Sequence, residues 1–109
     1  MTAIDRDKLR GKIETDLTKQ MKVNGTTFSY HSDLIQDYLS LWDLKNDLID
    51  DIQSTGITVP GMHGPKSNPS INDLHKTNDR MIKILDALNL NVPKADNSPP
   101  KGGSKSDLL

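Results

Sequence analysis

The amino-acid sequence predicts an all-α fold: an N-terminal helix, then a long antiparallel helical hairpin with an extended loop, then a disordered C-terminal tail. Three observations point there. Apolar residues recur at spacings of three and four in three separate windows. Capping and stop residues separate those windows. With one Trp, two Tyr and one Phe in 109 residues, the interior must be built mainly of Leu, Ile, Val and Met, which suits helix packing.

In the first window Leu9, Ile13, Leu17 and Met21 recur every four positions along Ile4 to Met21, a thin stripe on a charged helix that needs a neighbour. Gly11 weakens this helix by about 1 kcal/mol relative to Ala, and Asn24-Gly25 ends it. Ser29 or Ser32 can cap the second helix, which runs to Ser54 and stops at Gly56. It carries two adjoining seams, Ile35, Tyr38, Leu39, Trp42, Ile49 and Ile52 in one and Leu34, Leu41 and Leu48 in the other, which imply two sets of neighbours. Its outer face, with Asp33, Asp37, Asp43, Asp47, Asp50 and Asp51, reads as solvated acid.

Ile57-Thr58-Val59 favours extended chain, and the turn-rich stretch to Ser67 reads as a functional loop or a small hairpin. Asn68 with Pro69 at the first helical position opens the third helix, where Ile71, Leu74, Asn78, Met81, Leu85 and Leu88 keep the period. Helices over 32–54 and 69–89 would be about 34 and 31 Å long, matched for antiparallel packing. The chain thus divides into a basic N-terminal helix and linker (1–28), a helical hairpin and oligomerisation core (29–90) and a flexible tail (91–109) rich in Pro, Gly, Ser, Asn and Lys.

Charge and chemistry narrow the function. Residues 1–28 hold six Lys or Arg against four acids, and residues 29–55 hold one against six. That asymmetry permits nucleic-acid contact from the flanks and excludes a general polycation. Without cysteine there is no thiol chemistry or disulfide, and no apolar run approaches the roughly 20 residues that cross a bilayer. A protein that stays in the cytoplasm, with no membrane partner, is expected. His31, His63 and His75 lie far apart, and Asp43, Asp47, Asp50 and Asp51 have no nucleophile or histidine placed with them, so no metal, catalytic residue or cofactor is predicted. No phosphate-cradling glycine loop is present.

The candidate residues are therefore contact residues. Arg6, Lys8, Arg10, Lys12, Lys19 and Lys22, and more weakly Lys76, Arg80 and Lys83, are candidates for phosphate contact. Leu34, Tyr38, Leu41, Trp42, Leu48 and Ile49 are candidates for an interface between copies, Trp42 equally for a core anchor. Asn78, polar at an apolar heptad position, either fixes register between copies or bonds a nearby carbonyl. Leu108 and Leu109 form an apolar pair suited to docking on another protein.

Residues 28–90 also carry a set of features in order: Tyr38 and Trp42 on one helix, Asp51-Ile52 and Gly56 at its end, Asn68-Pro69-Ser70-Ile71 opening the next, then Met81, Leu85 and Leu88. This stretch resembles the small terminase subunits of tailed bacteriophages, in the short branch without an obvious helix-turn-helix. The resemblance implies a ring-forming oligomer in the host cytoplasm that engages viral double-stranded DNA. It also implies an accessory role, recruiting or regulating the terminase large subunit, which holds the ATPase and nuclease. A small helical DNA-binding regulator or antitoxin is the alternative, but the stretch from 55 to 68 is too long for a recognition-helix turn. A pure coiled-coil adaptor is the other rival, and it would bind no DNA at any salt.

Overall fold

A computed structural model describes residues 2–90 and is mostly helical: α1 (Ala3–Asn24), α2 (Ser29–Thr55) and α3 (Pro69–Ala87), with a two-stranded antiparallel ribbon between the last two. The expectations for the tail, Leu108 and Leu109 included, lie outside these residues.

Each helix boundary has a local cause. Thr2 caps α1, its hydroxyl accepting the Asp5 N–H at 3.1 Å. Gly25 closes α1 in the left-handed conformation (φ +76°), and the Thr26 N–H reaches back to the Met21 carbonyl at 3.1 Å, so two terminal carbonyls are satisfied. At α2 the cap differs from either serine. Phe28 holds the N-cap position, and His31 supplies the side chain: its Nδ1 accepts the Phe28 N–H at 3.2 Å. At the end of α3 Leu88 holds the cap position, Asn89 turns left-handed (φ +57°), and the Leu90 N–H bonds the Leu85 carbonyl at 2.8 Å.

The stretch between α2 and α3 is the small hairpin alternative. β1 (Thr58–Gly61) pairs with β2 (Gly64–Ser67), with Thr58 opposite Ser67 and Gly61 opposite Gly64. Gly61 is needed there, because a Cβ would sit 2.7 Å from the Gly64 carbonyl oxygen. The ribbon is tied down at its base by Asn68, which caps α3 by accepting the Ser70 N–H at 3.0 Å. The Asn68 Nδ2 donates to the Gly56 carbonyl at 2.9 Å and to Asp51 Oδ2 at 3.2 Å. Ser70 and Thr55 hydroxyls also donate to Asp51, at 2.6 and 3.1 Å.

Met21, Ile35, Leu39, Leu88 and Leu90 form the buried core where the end of α1, the start of α2 and the end of α3 meet, with Ile13, Leu17, Leu34, Ile84 and Leu85 packed around them. Leu39 and Leu88 are wholly buried. Leu34 and Leu41 share a groove with Ile84 and Arg80, and Leu44 and Leu48 share one with Thr77 and Asp73. Rising numbers on α2 therefore meet falling numbers on α3, as the antiparallel hairpin requires.

Candidate nucleic-acid and assembly surfaces

The first helix sorts its own cations. At about 100° per residue, Arg6, Arg10, Ile13, Leu17 and Met21 fall on one face, and Lys8, Lys12, Lys19 and Lys22 fall on the opposite one. The first face meets α2. There the Arg6 guanidinium donates to Asp47 Oδ1 at 3.0 Å and to the Asp43 backbone carbonyl at 2.7 Å, and it lies 5.9 Å from the centre of the Trp42 ring. Arg10 Nε is 3.1 Å from both Asp43 carboxylate oxygens. Gln36 on α2 donates to Glu14 at 3.0 Å. The four lysines are all exposed, in a row about 21 Å long at 1.5 Å rise per residue.

The acidic face of α2 is consequently not simply solvated. Asp43 and Asp47 receive α1, and Asp51 belongs to the network under the ribbon. The signal was in the sequence: Arg6 and Arg10 continue the face of Ile13, Leu17 and Met21 toward the N-terminus, so whatever received that stripe had to offer acids alongside. The three hydrogen bonds to Asp51, from Ser70, Asn68 and Thr55 in that order, hold its carboxyl below the ordinary aspartate value.

The two seams of α2 separate in space. Ile35, Leu39 and Trp42 are buried within the single chain, Trp42 at 5% exposure, so Trp42 is spent as a core anchor here. Tyr38 is half-buried, which raises its phenol pKa by desolvation. Ile49 and Asn78 are partly buried. The second seam is partly covered, with Leu34 packed against the core and Leu41 and Leu48 half-buried. Leu34 and Leu41, with Asp37, Ser40, Arg80, Lys83 and Ile84, line a groove of about 450 Å³. Leu44 and Leu48 continue the line toward Lys76, Thr77 and Asp73 beside a hollow of about 300 Å³. Lys76, Arg80 and Lys83 thus form the basic wall of a leucine-lined groove, a placement that their helical spacing alone did not reveal. Leu44 is a groove residue that the seam pattern missed.

His63 and His75 are exposed, and His31 serves the α2 cap. Among the described residues no three His, Asp or Glu side chains converge on a metal-sized site, and no helix is long and apolar enough to cross a membrane. No family model, no curated protein and no solved structure matches the chain.

Proposed function

We propose that this chain is the small subunit of a phage terminase, a non-catalytic oligomer that engages viral double-stranded DNA and recruits or regulates the large ATPase and nuclease subunit. The resemblance over residues 28–90 supplies the biological setting, and one structural observation supports DNA engagement: α1 turns its arginines inward and presents four lysines outward in a single row. A helix with that division keeps its fold through the arginines while the lysines remain available for phosphate oxygens, without base readout. The open leucine groove on the other side of the hairpin supports contact between copies. The ribbon between α2 and α3 replaces the tight turn of a helix-turn-helix, which weighs against the regulator reading.

The test exchanges Lys8, Lys12, Lys19 and Lys22 for Gln in the full chain and leaves Arg6 and Arg10 in place. Duplex binding should weaken similarly for all sequences, and the slope of log K against log salt should flatten by up to about 0.9 for each lost phosphate contact. An unchanged slope would remove α1 as the DNA surface and move the question to Lys76, Arg80 and Lys83.

A further inference from the structure

Two of the chain's four Phe, Tyr and Trp side chains are left in water at one point of the fold, the junction of α1 and α2. Phe28 is 66% exposed and Tyr30 59%, although the interior accommodates Trp42. Their rings are stacked, with centroids 5.6 Å apart and planes within 9°. His31 completes the group, 4.3 Å from Tyr30 and 6.0 Å from Phe28 by ring centroids. The His31 ring is itself fixed by its hydrogen bond from the Phe28 N–H. None of the three belongs to the buried core, yet they order one another before any ligand arrives, which lowers the entropy cost of binding.

The surroundings indicate what such a cluster would bind. Lys22 lies in the last turn of α1, at the end of the lysine row and six residues before Phe28, and the first acid of α2 is Asp33, one turn after Tyr30. Exposed aromatic faces that follow a row of cations along the chain suit an unpaired base on a phosphate chain, because every base has a π-face and stacking is tolerant of sequence. Bases within a duplex are already stacked on both faces and do not compete for the same surface.

We propose that Phe28, Tyr30 and His31 form a stacking platform for unpaired bases of single-stranded DNA, with the strand's phosphates running onto Lys19 and Lys22. The proposal rests on the reading of the lysine row as a backbone-binding surface and adds to it a second ligand state, the single strand. The measurement is fluorescence anisotropy of the full-length protein with a labelled oligothymidylate and, separately, a labelled duplex. Tyr30→Ala should weaken oligothymidylate binding by roughly 5- to 150-fold, the range of one lost base stack, and leave duplex binding unchanged. Tyr30→Trp should retain it. Circular dichroism and solution mass of each variant establish that fold and assembly are intact.

Absence of oligothymidylate binding by the unaltered protein, equal loss on both ligands, or no loss for Tyr30→Ala would each overturn the platform. A fall in solution mass with Tyr30→Ala would overturn it too, by assigning the rings to contact between copies. Failure of the lysine reading is distinct: there the four-lysine variant keeps its duplex salt slope while the Tyr30 result stands by itself.

Discussion

Asn68 is only 3% exposed, and both ends of its side-chain amide are bonded, to Ser70 on one side and to Gly56 and Asp51 on the other. Removing that amide would leave the Gly56 carbonyl and the Ser70 N–H without their partner at the base of the ribbon. Asn68→Ala should therefore cost about 1–3 kcal/mol of stability, a lost cap plus an unsatisfied buried group, measured by urea unfolding. Asp51 tests the same network through pH. Its folded-state pKa is lowered, so its stabilising contribution is complete above the ordinary aspartate range and is lost as pH falls through the folded-state value. Asp51→Asn should lower stability at neutral pH and flatten its fall on acidification. A melting-temperature profile parallel to that of the unaltered chain would show that Asp51 contributes nothing to acid sensitivity. Asn68 as a cap was legible from Asn-Pro at the head of an apolar period. Its bonds to Asp51 and Gly56 were not, because residues 17 and 12 positions earlier come within reach only once the ribbon has folded back.

Among the elements, α1 depends most on charge. Its apolar contact is confined to Ile13, Leu17 and Met21, and toward the N-terminus Leu9 is 42% exposed and Ile4 68%. Arg6 and Arg10 therefore hold the first half of the helix, and the ion pairs they make are partly open to water, where salt screens them. Reversing one pair tests this. Arg10→Asp should speed amide hydrogen exchange across residues 3–11, and adding Asp43→Arg should restore much of the protection. Equal exchange in all three proteins would mean that the apolar stripe alone holds α1. The sequence showed a thin stripe needing a neighbour, and that the neighbour is α2 followed from nothing in the period itself. The α2 cap was missed for a related reason: serine and threonine side chains advertise caps, whereas a histidine accepting a backbone N–H carries no such signature.

For the molecule as a whole, hydrophobic periodicity showed that α2 has two apolar faces but not what covers each. One is consumed by the chain's own α3 and α1. The other, along Leu34, Leu41 and Leu48, remains a groove with Asp37 on the α2 side and Arg80, Lys83 and Lys76 on the α3 side. A second hairpin set with its α2 over this α3 would bring acid to base and leucine to leucine. Leu41→Asp removes the apolar contact at the middle of that surface and gives Arg80 and Lys83 an acid within their own chain, so it should dissociate the assembly while leaving the chain helical, since Leu41 is only partly buried in the single chain.

Assembly of copies on this groove is read from the solution mass of the 109-residue chain, measured by light scattering over a range of concentrations. The expected result is a defined multiple of the 12.1 kDa chain mass, larger than a dimer, that falls toward a single chain with Leu41→Asp. A mass of one chain at every concentration, or an assembly indifferent to Leu41→Asp, would contradict it.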